Sequence, residues 1–293
     1  MSPPSTRASV DHRSAYLLIA PAVVLFAGVA LYPTLAAIWL STHRMILVFH
    51  DRRFVGFDNY AFMWRDARFW NALSTTAYFS VVAVAVELAL GMGFALLLDG
   101  SGKGRGLLRA CLLIPWAIPT VVAAKLWAWL LNPEYGLLVA SMPGEKIDWL
   151  GSPTLAIHAA ILVDVWKTTP FVAFLLLAGL VTVPRELYDA AQFDGASRLQ
   201  TFARVTLPVL KPTLAVTLIF RTLDAFRVFD AIYALTEGGP ANTTETLSVY
   251  AYKMLMRAGD FGYGSALSVA TFVSVMILAA VYLKWLGSSA GVG

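Results

Sequence analysis

Six apolar runs, each long enough to cross a lipid bilayer, constrain what this chain folds into. They cover residues 15–40, 71–98, 107–131, 154–182, 209–235 and 264–286. A helix needs about 20 apolar residues to span the hydrocarbon core of a bilayer. Because that core holds no water to hydrogen-bond the backbone, such runs must be helical. The sequence therefore predicts an all-α integral membrane protein with about six transmembrane helices.

Composition excludes several other classes of protein. Charged residues are 14% of the chain, whereas soluble domains have about a quarter. Cys111 is the single cysteine, which excludes an internal disulfide, and the four histidines lack zinc-site spacing, so we expect no metal site. No basic block accompanies the pI of 9.2, so we expect no nucleic-acid partner. The first apolar run is too long for a signal-peptide core, and we expect it to be retained as a helix.

The distribution of lysine and arginine favours one orientation in the membrane. Ten of these residues fall on the side that holds both ends of the chain, the loop at 99–110 and the segment 183–211, and eight fall on the other side. Cytoplasmic loops of membrane proteins carry an excess of such cations. We therefore expect a multi-pass protein with cytoplasmic tails at 1–14 and 288–293 and a transmembrane domain at 15–287.

The segment 183–208 is unusually long and polar for a connection between two spans. A helix is predicted at 186–192, because Pro184 precedes it and acidic side chains occupy its first turn. Gly195 predicts a bend. A second helix is predicted at 196–205, after which Pro208 is expected to turn the chain into the next span. A compact helical knob of this kind suits docking against a cytoplasmic partner.

Within this segment lies a motif that resembles the EAA loop of binding-protein-dependent ABC importer permeases. Asp189-Ala190-Ala191, three residues, Gly195, nine residues and 205–208 (VTLP) match the pattern E-A-A-x3-G-x9-I-x-L-P with Asp for Glu and Val for Ile. The stretch 236–240 (TEGGP) is similar to maltose-type sugar permeases, and 221–233 is similar to permeases of the trehalose-import type. The resemblance implies the type I importer permease fold and the import of a sugar, with a disaccharide such as trehalose or a maltose-like glucoside as the expected cargo.

The same resemblance implies how the chain is coupled to its partners. The residues expected to form the coupling surface against the ATPase are Glu186, Asp189, Ala190, Ala191, Asp194, Gly195, Arg198, Leu207 and Pro208. Gly238, Gly239 and Pro240 are expected to face the sugar-binding protein outside the cell. No nucleotide-binding G-x-x-x-x-G-K-[ST] pattern occurs, so the chain is not expected to be an enzyme, and ATP and Mg²⁺ are assigned to a partner. The implied complex has a second, different permease, two ATP-binding subunits and a binding protein in a bacterial plasma membrane.

Ionisable residues within the apolar runs mark the predicted transport path, since charges at membrane depth are costly. There are eight, with no net charge: Glu87, Lys125, Asp164, Lys167, Arg221, Asp224, Arg227 and Asp230. The spacing of Asp224, Arg227 and Asp230 predicts a ladder of pairs on one helix. Sugar-contact positions carried over from the resemblance are Lys167, Thr168, Phe171, Phe220, Asp224 and Arg227. The alternative is that these charges hold helices together or contact the second permease; Glu87 and Lys125 are interpreted as structural.

Two other functions remain open. A permease for a different small solute shares the EAA pattern, although amino-acid and peptide permeases usually lack the TEGGP stretch. A secondary transporter also has intramembrane charges but has no need of the docking knob. A membrane enzyme requires a clustered catalytic set, which the sequence does not contain.

Overall fold

The computed structural model describes residues 12–47, 51–100, 104–141 and 146–290 of the 293-residue chain. This part is almost wholly helical, and it contains one β-hairpin. The helices are α1 (His12–Phe26), α2 (Tyr32–Ser41), α3 (Asp58–Arg65), α4 (Ala67–Asp99), α5 (Arg105–Ala117), α6 (Thr120–Leu130), α7 (Leu137–Ala140), α8 (Leu155–Leu180), α9 (Arg185–Phe193), α10 (Arg198–Thr201), α11 (Leu207–Phe226), α12 (Asp230–Thr236), α13 (Leu247–Tyr252) and α14 (Phe261–Ala290). Much of the tails expected at 1–14 and 288–293 lies outside the described residues.

The described helices include five continuous apolar spans and one broken span. The continuous spans are Tyr16–Ser41, Ala67–Asp99, Leu155–Leu180, Arg198–Phe226 and Phe261–Lys284. Helices α5 and α6 pass the same test together, although they are bent by 93°. The prediction of about six transmembrane helices is therefore confirmed.

Proline causes the break between α5 and α6. Pro119 follows Ile118, whose backbone is extended at φ −73° and ψ 132°. A proline ring clashes with the helical conformation of the residue before it, so the helix ends there. Ala123 N then donates to Pro119 O as the second half of the span begins. The third apolar run thus enters the molecule as two helices at nearly a right angle.

Two of the prolines inside continuous spans each lie two residues after a π-helical turn. The turns are Ala27–Leu31 before Pro33 and Phe202–Thr206 before Pro208. A proline in a regular helix loses one hydrogen bond and clashes with the carbonyl one turn earlier, and a wider turn relieves that contact. The expectation that Pro208 turns the chain was therefore wrong. The helix runs through it from Arg198 to Phe226.

The fifth apolar run does not form a single helix to residue 235 as predicted. Helix α11 ends at Phe226, and α12 begins at Asp230. The carbonyl of Val228 in the break accepts a hydrogen bond from Thr246 Oγ1 at 3.1 Å. In a regular helix this carbonyl would accept a hydrogen bond from the backbone. Because the hydroxyl of Thr246 takes the place of that donor, the break is tolerated.

The connection between α2 and α3 contains a hairpin that the sequence did not predict. Strands β1 (His43–Ile46) and β2 (Asp51–Phe54) pair antiparallel, with His43 opposite Phe54 and Ile46 opposite Asp51. Each strand has four residues, and arginines interrupt the apolar alternation that predicts a strand.

Helices α4, α8 and α11 form the packed centre of the chain. Gly91 on α4 allows close approach, because a Cβ there would lie 2.5 Å from Val172 Cγ1 on α8. Gly179 on α8 has the same role against Thr213 on α11, where a Cβ would lie 2.6 Å from its Oγ1. Small residues permit such contacts between transmembrane helices. These three helices carry the charged groups described next.

Candidate functional site

Arg221 on α11 lies at the centre of a buried charge cluster. Its Nε donates to Glu87 Oε2 at 2.7 Å, and its Nη2 donates to Glu87 Oε1 at 2.8 Å. The Arg221 side chain is 3% exposed and that of Glu87 is 0% exposed. The paired geometry satisfies both carboxylate oxygens at once, which a lysine does not achieve.

Two further carboxylates reach the same guanidinium. Asp164 Oδ2 on α8 accepts from Arg221 Nη2 at 3.1 Å, and Asp224 Oδ2 accepts from Nη1 at 2.6 Å. Asp224 Oδ1 lies 3.5 Å from Arg227 Nη2. The predicted ladder therefore includes Asp224 and Arg227 but does not extend to Asp230, because the helix breaks after Phe226 and Asp230 starts α12.

Helix α8 contributes the polar groups of the opposite wall. Thr168 Oγ1 lies 2.5 Å from Glu87 Oε1 and 2.6 Å from the carbonyl of Asp164, so its single proton has two acceptors in reach. Lys167 Nζ donates to the carbonyl of Trp116 at 3.4 Å. This contact directs Lys167, one of the eight intramembrane charges, to α5.

Two adjoining pockets open beside this cluster. The first has a volume of about 430 Å³ and is lined by Trp116, Thr168, Phe171, Phe220, Arg221, Leu223, Asp224, Arg227 and Val275. The second has a volume of about 400 Å³, and its lining includes Lys167, Thr168, Asp164, Asp224, Arg227 and Trp116. Every residue carried over as a sugar contact lines at least one of the two pockets. Four residues line both: Trp116, Thr168, Asp224 and Arg227.

Aromatic rings complete the pocket wall. Trp116 on α5 and Phe171 on α8 lie nearly parallel, with centroids 6.3 Å apart and planes 11° apart. Sugars bind where aromatic faces adjoin charged hydrogen-bonding groups, and this wall has both. Trp116 was not among the residues predicted from the sequence to contact the sugar. The one sequence feature that could have indicated Trp116 is its position just before Pro119. The break at this proline brings the end of α5 to the pocket.

Arg221 was recognised as an intramembrane charge but was not chosen as a pocket residue. Only 2% of the surface of Arg221 is exposed, yet the residue lines the first pocket. The excess of acids over Arg221 could have indicated that this arginine binds several carboxylates. The spacing of these residues along the sequence does not show which of them meet. Glu87, Asp164 and Arg221 come from three different helices, and only the packing brings them together.

The predicted coupling segment lies between two spans, apart from the pockets. Helix α9 covers the predicted helix at 186–192, and Gly195 has φ +70°, a left-handed conformation that glycine adopts without strain. Ser197 and Gln200 then form a capping box that starts α10. The coupling residues Glu186, Asp189, Ala190, Asp194, Gly195, Arg198 and Pro208 are exposed, whereas Ala191 and Leu207 are half-buried.

One face of α9 packs on the membrane helices and the other is open. Tyr188 packs against a buried cluster that includes Val183 and Leu210, and its Oη accepts a hydrogen bond from Thr206 Oγ1 at 3.3 Å. On the open side, Phe193 is 92% exposed and Leu199 is 76% exposed. Large apolar side chains exposed together on a polar segment are typical of a protein contact.

The predicted outer loop is held firmly in place. Gly238, Gly239 and Pro240 follow α12, and Glu237 before them forms an ion pair with Arg257 at 2.6 Å. Further along, buried Glu245 accepts from Arg68 Nε and Nη2 at 2.7 and 2.9 Å, and it lies 2.7 Å from Lys253 Nζ. These ion pairs fix the loop against the start of α4, so it presents a defined surface.

Comparison with known proteins agrees with the resemblance noted in the sequence. Residues 87–288 match the family model described as binding-protein-dependent transport system inner membrane component. The chain is 45% identical over 272 residues to the trehalose/maltose transport system permease protein MalF of Thermococcus litoralis, covering 92% of each chain. It is 41% identical over 282 residues to the trehalose transport system permease protein SugA of Mycobacterium tuberculosis, covering 96% of this chain and 91% of the relative.

A third relative and one solved structure widen the comparison. The sulfoquinovosyl glycerol transport system permease protein SmoG of Agrobacterium fabrum is 40% identical over 278 residues, covering 94% of this chain and 90% of the relative. A bacterial alginate ABC transporter, crystallised with an alginate pentasaccharide-bound periplasmic protein, superposes with a TM-score of 0.82. It is 21% identical and covers 92% of each chain, which supports the fold alone. The prediction of a type I importer permease fold is thereby confirmed.

Proposed function

The chain belongs to the family of binding-protein-dependent transport system inner membrane components, and on that basis we propose that it forms part of the membrane path of a disaccharide importer. It is the membrane subunit of a sugar importer of the ABC class, as are its trehalose and maltose relatives by name. The cargo that we propose is trehalose or a maltose-like glucoside. It moves by alternating access, driven by ATP.

The two adjoining pockets, which between them are lined by all six carried-over residues, are the observation that supports this cargo. Aromatic faces of Trp116, Phe171 and Phe220 suit the C–H faces of a sugar ring, and Thr168, Asp224 and Arg227 suit its hydroxyls. Together the two pockets have room for more than one ring. The charged lining has both signs, which favours a neutral cargo over an acidic one.

The remaining subunits of the importer follow from the family. We assign ATP and Mg²⁺ to two partner subunits and place the exposed segment formed by α9, Gly195 and α10 against them. A second, different permease covers the open side of the pocket, where Phe220 is 62% exposed. The segment 238–240 faces an external sugar-binding protein. Residues 15–287 form the permease domain, and both termini and residues 183–208 lie on the cytoplasmic side of the plasma membrane.

Reconstitution tests the proposed function. The complete complex in proteoliposomes, with its binding protein, is expected to hydrolyse ATP faster with trehalose or maltose outside and to accumulate the sugar inside. The matched control is sulfoquinovosyl glycerol, an anionic cargo, which is expected to give no stimulation. Stimulation by the anionic compound alone would overturn the neutral disaccharide, and sugar uptake without ATP would indicate a secondary transporter.

A further inference from the structure

Glu87 does not line the sugar pocket, but it contacts residues that do. It lies in the middle of α4 with no exposed surface, and it does not line either pocket described above. Each of its two carboxylate oxygens nevertheless contacts a pocket-lining residue. Oε1 lies 2.5 Å from Thr168 Oγ1 and 2.8 Å from Arg221 Nη2, and Oε2 accepts from Arg221 Nε at 2.7 Å.

Arg221 transmits the orientation of Glu87 to a second pocket group. Its guanidinium is planar and rigid, so fixing Nε and Nη2 on Glu87 also fixes the direction of Nη1. Nη1 donates to Asp224 Oδ2 at 2.6 Å. Asp224 is the more exposed member of this pair, with 56% of its side chain open, and it lines both pockets. The exposed carboxylate is therefore aligned by a buried one.

We propose that Glu87 is a positioning residue for the sugar site, holding the hydroxyl of Thr168 and, through Arg221, the carboxylate of Asp224 at fixed places in the pocket. This inference rests on the proposed function. It assigns to Glu87 a role in sugar affinity beyond the structural role that the sequence suggested. Since Thr168 belongs to α8 and Asp224 to α11, one carboxylate on α4 sets the relative placement of two sugar-facing groups from different helices.

The surrounding charges make the test feasible. Replacing Glu87 with glutamine leaves Arg221 with two carboxylates, Asp164 at 3.1 Å and Asp224 at 2.6 Å, so the guanidinium is not left without an anion. The amide keeps one acceptor oxygen and places an N–H₂ group where the second oxygen accepted. Arg221 loses one hydrogen bond and its fixed orientation. The Glu87→Gln complex is therefore expected to assemble.

The first measurement is equilibrium binding of radiolabelled trehalose to the complete complex in nanodiscs without binding protein. Glu87→Gln is expected to weaken binding by about tenfold, the effect of one or two misaligned hydrogen bonds. The matched control is Glu245→Gln, which removes a second buried carboxylate. Glu245 accepts hydrogen bonds from Arg68 Nε and Nη2 at 2.7 and 2.9 Å. That variant is expected to keep the wild-type affinity for free trehalose, even where its thermal stability falls as far as that of Glu87→Gln.

A double-mutant cycle separates positioning from general destabilisation. In a Thr168→Val, Asp224→Asn background the groups that Glu87 holds are gone, so adding Glu87→Gln is expected to change residual affinity by less than about twofold. Full additivity of the Glu87→Gln effect in that background would overturn the proposal. So would equal losses of affinity in Glu87→Gln and Glu245→Gln.

The outcomes also distinguish this proposal from the proposed function. If the wild-type complex binds neither trehalose nor maltose, the cargo is wrong, and the role of Glu87 in a sugar site falls with it. If the wild-type complex binds trehalose and Glu87→Gln binds it equally well, the sugar importer stands and the positioning role is overturned.

Discussion

Arg221 on α11 and Glu87 on α4 form a paired contact of two hydrogen bonds, at 2.7 and 2.8 Å, inside the membrane domain. The two residues are 134 positions apart in the sequence. Removing one member of a buried pair leaves an uncompensated charge, so this contact holds α4 against α11. The hydrogen bond from Arg221 to Asp164 joins α8 to the same arrangement. The arrangement in turn places Asp224 and Thr168 at the pocket.

Arg221→Met is expected to destabilise the protein severely. It leaves Glu87, Asp164 and Asp224 without their shared cation, and the loss of one partner from a buried ion pair costs about 3–5 kcal/mol. The measurement is the thermal midpoint of the complex in detergent. The control is Arg227→Met, the same change at an arginine whose side chain is 70% exposed, where a surface pair contributes about 1 kcal/mol or less. Equal midpoints in the two variants would contradict the central place of Arg221.

Trp116→Leu is expected to weaken sugar binding by about tenfold, since an aromatic face contributes beyond the area that it buries. Trp116 lines both pockets and lies parallel to Phe171. Trp129→Leu serves as the control, because Trp129 is 50% exposed on α6 of the same broken span and is absent from the lining of both pockets. Equilibrium binding of trehalose to the nanodisc complex measures both. A similar loss in the two variants would remove Trp116 from the site.

Gly195→Ala is expected to lower sugar-stimulated ATP hydrolysis while the complex still assembles. Its φ of +70° costs a residue with a Cβ about 1–2 kcal/mol, although there is space for the methyl group itself. The bend between α9 and α10 then shifts, and so does the surface offered to the ATPase. Gly93→Ala is the control, since Gly93 also has open space but lies within helix α4. Normal stimulation in Gly195→Ala would show that the bend is not needed for coupling.

The loop that follows α12 gives a prediction for pH. A hydrogen bond from Arg257 lowers the pKa of Glu237 below its ordinary value of 4.5. A carboxylate with a lowered pKa stabilises the folded loop above the unfolded pKa, and the contribution is lost as the pH falls through the lowered value. The loop should therefore hold its shape from neutral pH down to about 4.5, the ordinary pKa of a glutamate.

Arg257→Met is expected to raise the pKa of Glu237 towards its ordinary value. Infrared titration of the complex measures it, with the Glu237 band identified by its loss in Glu237→Gln. Arg65→Met on α3 is the control and should leave the band unchanged. An unchanged pKa in Arg257→Met would mean that the ion pair at 2.6 Å does not form in solution.

Much of this fold could be predicted from the sequence because membranes impose simple rules. Long apolar runs predicted the number of spans, and the spacing from Asp189 to Pro208 indicated the family to which the chain belongs. The helix ahead of Gly195 and the bend at Gly195 were also predictable, since both depend on local chemistry.

The remaining features depend on contacts between distant residues. Whether a proline bends a helix depends on its neighbours. Pro119 breaks a span, whereas the π-helical turn before Pro208 accommodates the proline without a break. The break after Phe226 depends on Thr246, a residue twenty positions further along. The charge cluster around Arg221 likewise requires three helices to meet, which periodicity along one helix does not reveal.

Photolabelling with a diazirine derivative of trehalose tests whether this chain lines the sugar path. The complete complex is loaded with the probe through its binding protein, held with a non-hydrolysable ATP analogue, irradiated and analysed by mass spectrometry. Labelling is expected at Trp116 and on the pocket faces of α8 and α11, and unlabelled trehalose is expected to compete with it. Competed labelling found only in the second permease, or in this chain only at residues outside the two pockets, would contradict it.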